Sequence, residues 1–155
     1  MDIFETIQRK SNYKLREYIT TEKDLDIRDP YDHTLLIVAA GANNLEAVKL
    51  LLENNAPINS YDVNGYTALM HAAEIGNVKI VEVLLQYKAN VNILDNSEVN
   101  ALYYAILNNR LEIVELLLNV GSNVNIINNN IESIKMYAKI DENTKNVLRN
   151  SGIKI

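Results

Sequence analysis

His33 and His71 are the residues of this 155-residue chain best suited to chemistry, and they are its only histidines. An imidazole titrates near neutral pH and binds metal ions, so the pair could act as ligands, or as a general base beside Asp32 or Glu74. The surrounding sequence argues against both uses. The chain has no cysteine, and a Zn²⁺ site takes three or four protein ligands where the histidines supply two. Carboxylates are plentiful, but Asp29, Asp62 and Asp95 recur at equal spacing, which fits turn-shaping residues better than a catalytic pair. Val120-Gly121-Ser122 lacks the second glycine and the preceding buried strand of a nucleophile elbow. No glycine-rich phosphate loop is present. The expectation is a protein with no catalytic set, no cofactor and no metal, its two histidines sitting in variable surface columns.

The equal spacing is 33 residues, and it organises the whole chain. Ala39, Ala72, Ala105 and Ala138 share one column, and Val48, Val81 and Val114 another. Thr34, Thr67, Asn100 and Ser133 form a third, and Asp26, Asn59, Asn92 and Asn125 a fourth. A fixed period of this length means stacked supersecondary units, each unable to bury its apolar face alone.

Residues 62–94 show the unit best. Asp62 to Tyr66 is turn chemistry, with Gly65 free to take a positive φ. Thr67 stands where a helix N-cap is wanted, and its column holds only residues whose side chains cap free N–H groups. A short helix from Ala68 to Glu74 presents Ala72 and Ala73 for close packing, and Gly76 ends it. A second helix carries Val78, Val81, Leu84 and Leu85 at helical spacing. Lys88 to Asn92 then leads to the next turn.

The pattern Asp62-x-x-Gly65-x-Thr67-x-Leu69-x-x-Ala72-Ala73-x-x-Gly76, then Val81-x-x-Leu84-Leu85 and Ala89-x-Val91-Asn92, resembles the ankyrin repeat. The 34-residue tetratricopeptide pair lacks the polar turn column. The resemblance implies an all-α solenoid of helix–turn–helix units with projecting β-turn fingers. It divides the chain into an N-terminal cap at 1–28, full repeats at 29–61, 62–94 and 95–127, and a C-terminal cap at 128–155. Ser133 is expected to begin the last unit, whose second helix looks about three residues short and least stable. The family's helix-starting proline and structural histidine are missing: its Thr-Pro-Leu-His reads Thr34-Leu35-Leu36-Ile37, Thr67-Ala68-Leu69-Met70 and Asn100-Ala101-Leu102-Tyr103. The turn glycine survives at Gly65 alone, its counterparts being Asp32, Glu98 and Ile131, so strained turns are expected.

Function follows from the same resemblance. Ankyrin arrays generally bind protein partners through the fingers and the concave row of first helices. Carried over by column, that face takes Tyr31, Asp32, His33 and Val38 from the first full repeat. The second supplies Val63, Tyr66, His71, Glu74 and Ile75, and the third Ser97, Glu98, Val99, Tyr104, Leu107 and Asn108. Tyr137 and Ile140 extend the row. Tyrosine suits an interface because it combines apolar area with a polar tip and little rotamer entropy. In some ankyrin proteins of the eukaryotic cytosol the column of Asn59, Asn92 and Asn125 is hydroxylated.

Charge sets the kind of partner. The net charge is −5, which speaks against nucleic acid. Residues 29–127 hold eleven acids and four bases, and those bases, Lys49, Lys79, Lys88 and Arg110, fall on second helices or their ends. The finger side is therefore expected to be acidic and to receive a basic protein or peptide. A non-enzymatic, monomeric scaffold is the leading reading. A self-associating structural protein and a small enzyme or metal protein using His33 and His71 are the alternatives. Nothing reads as a membrane span or secretory signal, so a cytoplasmic location is expected, with export to a host cell by a signal-independent route as the alternative.

Overall fold

The computed structural model describes residues 2–22 and 24–155; Met1 and Lys23, both in the expected N-terminal cap, lie outside the described residues. Helices α1 (Ile3–Gln8) and α2 (Asn12–Thr21) lie in the segment expected to be that cap. Three pairs follow: α3 (Leu35–Gly41) with α4 (Leu45–Glu53), α5 (Ala68–Ile75) with α6 (Val78–Gln86), and α7 (Ala101–Leu107) with α8 (Leu111–Asn119). The chain closes with α9 (Asn125–Asn129), α10 (Ile131–Tyr137) and α11 (Glu142–Asn150). First helices stack in one layer, α1 on α3 on α5 on α7 on α10, and second helices in the other, α2 on α4 on α6 on α8 on α11. Among the described residues the helices are accompanied only by isolated antiparallel bridges, Arg28 to Thr34 and Tyr61 to Thr67. No helix among the described residues is long and apolar enough to cross a membrane.

The columns explain the stack. Thr34, Thr67 and Asn100 cap α3, α5 and α7, each side chain accepting from the N–H three residues on. Ala39, Ala72 and Ala105 have no exposed surface, so neighbouring first helices approach closely. Val48, Val81 and Val114, with Leu51 and Leu84, are equally buried between second helices. Full burial of one such aliphatic side chain stabilises by about 1.5–3 kcal/mol.

Polar columns tie one repeat to the next. The Oδ1 atoms of Asn59 and Asn92 accept from the N–H groups of Asn90 and Asn123 at 2.9 and 2.7 Å. The side chains of Asn44, Asn77 and Arg110 donate to the carbonyls of Ile7, Ala40 and Glu74, near the end of the preceding first helix. The Ile7 and Ala40 carbonyls also accept from Lys10 N and Asn43 N, so the cross-repeat bonds add a second partner at those two helix ends and supply one at the third.

The expected strain is present. Gly65 has φ +83°, and its column mates Asp32 and Glu98 take +65° and +60° without being glycine. Asn43 and Asn109 take +51° and +53° in the Gly76 column. Each such residue stores roughly 1–2 kcal/mol, less for Asn and Asp.

The C-terminal cap departs from expectation. Ser133 caps nothing: it lies exposed within α10, whose N-terminal boundary is Asn130. Nor is the last helix short, since α11 has nine residues, as α4, α6 and α8 do. The missing residues come from the finger. Where Asp29, Asp62 and Asp95 begin turns, Asn128 lies inside α9. The apolar segment around Ile126, Ile127 and Ile131 accounts for this, because Ile127 buries completely against the stack and an extended finger would leave it in water. Asn128 instead holds the chain end, donating to Gly152 O and accepting from Lys154 N. Among the described residues α9 and α10 bury one side chain each, Ile127 and Ile134, and α11 buries two, Thr144 and Leu148. Amide exchange should therefore be fastest in 128–155, since local stability follows buried contacts. Exchange as slow there as in α5 and α6 would contradict this.

Candidate functional site

Each finger is built on one aspartate that uses its two oxygens differently. The Oδ1 atom folds the turn. It accepts from Tyr31 N and His33 N at Asp29, from Asn64 N and Tyr66 N at Asp62, and from Ser97 N and Val99 N at Asp95. The Oδ2 atom reaches to an aromatic ring: His33 Nδ1 at 2.9 Å for Asp29, His71 Nε2 at 3.2 Å for Asp62, and the Tyr104 hydroxyl for Asp95. Burial works against ionisation of Asp29, but the bonds from the His33 ring and from the His33 and Tyr31 N–H groups outweigh it and hold its carboxyl below the usual range. Burial raises the Tyr104 phenol far above its ordinary value, and the adjacent Asp95 and Tyr66 add to the rise.

The rings form a continuous row across the repeats. Centroids lie 5.9 Å apart for Tyr31 and His33, 6.1 Å for His33 and His71, 5.2 Å for His71 and Tyr66, and 4.8 Å for Tyr66 and Tyr104. Spacings of this size are those of favourable offset and edge-to-face pairs. The row has a simple rule: a ring on one finger meets the ring 38 residues later, on the next first helix, as in His33 with His71 and Tyr66 with Tyr104.

Both histidine columns vary, as His33, Tyr66 and Val99 and as Val38, His71 and Tyr104, but neither histidine is fully at the surface. Both are half-buried, and they converge on Asp62, whose side chain is 2% exposed. His33 Nε2 lies 3.6 Å and His71 Nε2 3.2 Å from the same Asp62 Oδ2. One donor atom from each of the three residues lies within 4.8 Å of the other two. His33 and His71 also line a cleft of about 400 Å³, completed by Gln8, Ile37, Val38, Gly41 and Ala42 between the N-terminal cap and the first full repeat.

The remaining expected contact residues divide by burial. Tyr31, Asp32, Val63, Ile75, Ser97, Glu98, Asn108 and Tyr137 are exposed, and Tyr66, Glu74, Leu107 and Ile140 half-buried. Three are buried. Val99 is 3%, Val38 7% and Tyr104 8% exposed. Val38 and Val99 pack in the apolar core, and Tyr104 turns its hydroxyl inward to Asp95. The acidic side is also smaller than the composition suggests. Asp62 and Asp95 are buried, and Arg28 pairs with Asp32 at 3.2 Å while donating to Tyr61 O of the next finger. Glu74 and Glu98 remain without an ion-pair partner among the described residues. Sequence reasoning passed over Tyr61, 58% exposed beside these fingers; its position just before the finger aspartate was the available signal.

A family model for ankyrin repeats, in three copies, matches residues 5–95 and 36–128 of this chain. No curated protein matches it.

Proposed function

The chain belongs to the ankyrin repeat family, generally a family of protein–protein interaction modules, and on that premise we propose that it is a non-enzymatic, monomeric scaffold for a partner with a basic contact surface. The observation that carries this reading is the composition of the exposed finger side. Tyr31, Tyr61 and Val63 stand out from the first two fingers, with Glu74 and Glu98 beyond them. Large, stiff apolar groups supply contact area, and nearby carboxylates steer a cation-rich partner into place. The bases Lys49 and Lys79 lie exposed on α4 and α6, in the opposite layer. Self-association by end-to-end stacking is the second reading. Against it stands the last helix, which carries Glu142 paired with Lys145 and Arg149 at 3.2 and 3.5 Å. Light scattering on the purified chain separates the two.

The test is a partner captured from native lysate, identified by mass spectrometry and measured kinetically. Tyr31→Ala touches no core residue and should raise the dissociation rate about 30-fold, the size of a 2 kcal/mol hot spot. Glu74→Lys and Glu98→Lys should instead slow association, roughly tenfold at low salt, and flatten its salt dependence. Loss of binding on changing Lys49 and Lys79, with all three finger-side variants silent, would place the partner on the other layer and refute the proposal.

A further inference from the structure

We propose that His33, Asp62 and His71 form a binding site for a divalent first-row transition ion of the Zn²⁺ class, distinct from and independent of the partner-binding reading. Two ligands held about 2.0–2.1 Å from a tetrahedral ion stand roughly 3.4 Å apart. The separations from Asp62 Oδ2 to His71 Nε2 and to His33 Nε2, 3.2 and 3.6 Å, bracket that edge length. One ligand atom from each of the three residues lies within 4.8 Å of the other two, so the third edge has at most about 1.4 Å to close to reach the tetrahedral length. The two imidazole rings meet edge to face, at 75°, so they are not locked together by stacking.

The protons point the same way. Asp29 Oδ2 accepts from His33 Nδ1 at 2.9 Å, which places the His33 proton on Nδ1 and leaves the Nε2 lone pair facing Asp62. Asp62 Oδ2 is an acceptor as well and takes its hydrogen bond from His71 Nε2 at 3.2 Å, so the His33 Nε2 lone pair 3.6 Å away faces it with no proton of its own to offer. A bound cation gives the His33 lone pair a partner and replaces the His71 Nε2 proton at Asp62, that proton shifting to His71 Nδ1. The Asp29–His33 pair is also the carboxylate–histidine arrangement that orients metal-binding imidazoles. Asp62 is anchored through Oδ1 by two backbone N–H groups, so the ligand oxygen is fixed before any ion arrives. Nitrogen and carboxylate donors together suit Zn²⁺ and its neighbours rather than Ca²⁺ or Mg²⁺. Both histidines line the cleft beside Ile37 and Val38, and the ion's remaining position opens there to water.

Zn²⁺ titrated into the full-length chain, followed by calorimetry and by ¹⁵N imidazole spectra, tests the site. The expected result is one ion per chain, bound through Nε2 of both histidines, with the Nδ1 proton of His33 retained. His33→Ala and His71→Ala, checked for folding by circular dichroism, should each lower affinity by about 100-fold or more, and Asp29→Asn by about 10–100-fold. That last variant keeps the turn-forming oxygen but presents an NH₂ group to Nδ1. The His33 proton should then move to Nε2, a tautomer change that a merely structural role for Asp29 would not produce. Should the alanine variants fail to fold, the spectra of the native chain and Asp29→Asn decide alone. No ion bound at micromolar Zn²⁺, coordination through Nδ1, or undiminished binding by a folded His71→Ala would overturn the proposal.

Discussion

Gly65→Ala is expected to destabilise the array by about 3 kcal/mol, more than a conservative change at an exposed turn usually costs. Two effects add. At φ +83° an alanine pays the left-handed penalty of roughly 1–2 kcal/mol. Its Cβ would also lie 2.9 Å from both Asn96 N and Asp95 Cα of the next finger. Those atoms are backbone and cannot rotate away. They are fixed in turn by Asn96 N donating to Asn64 O and Asn96 Nδ2 to Val63 O, both at 3.0 Å. Finger-to-finger contact would open, and with it the support of buried Asp95. Gly121→Ala is the control. It has φ +85° but nothing among the described residues within 4 Å of the added carbon, so it should pay the backbone penalty alone. Thermal melts of both variants isolate the contact as their difference, a few °C per kcal/mol for a chain of this size. Equal melting temperatures would show that the fingers do not bear on one another.

Why Gly65 alone is glycine in its column was not legible from the repeat pattern. Asp32 and Glu98 adopt the same φ, so conformation does not distinguish the three. What was legible is everything that depends on one column at a time: the caps at Thr34, Thr67 and Asn100, the alanine seam, and the valine core. A column states what kind of residue a repeat needs, and the period makes it visible several times over. Contacts between different columns of adjacent repeats carry no such signal. His33 sits on a finger and His71 on the next first helix, and only the offset between neighbouring units brings them to Asp62. The same offset buries Tyr104, which column logic placed on the binding face. The C-terminal cap failed for a related reason. Ser133 falls on the capping column by position, but a cap must stand at a helix boundary with non-helical backbone, and the apolar Ile126-Ile127 segment made a helix that left Ser133 inside α10. The one-sided stack rewarded burying Ile127 more than repeating the turn.

Truncation after Asn123 should have the largest effect of all, because it removes what covers α7 and α8. Helices α9 and α10 pack on α7, and α11 on α8. In the intact chain Ile106, Ile113 and Leu117 of those two helices have no exposed surface, and the removed segment itself buries Ile127, Ile134, Leu148 and Ile153. A solenoid's stability is a sum of unit and interface terms, so losing the terminal unit removes an interface that nothing replaces. The remaining array should melt about 10 °C lower or more, at a few °C per kcal/mol. Its new end is an apolar ridge without the ion-paired surface that Glu142, Lys145 and Arg149 provide on α11, and such exposed patches drive association. Light scattering should therefore show concentration-dependent aggregates where the full chain is monodisperse. A shorter truncation after Asn150 separates the cap from its tail. It keeps all three helices and loses Ile153, which should cost about 2 kcal/mol of burial without exposing α7 or α8. If the chain ending at Asn123 stays monodisperse and melts where the full chain does, residues 124–155 are a passenger on the array, and α9, α10 and α11 have no capping role.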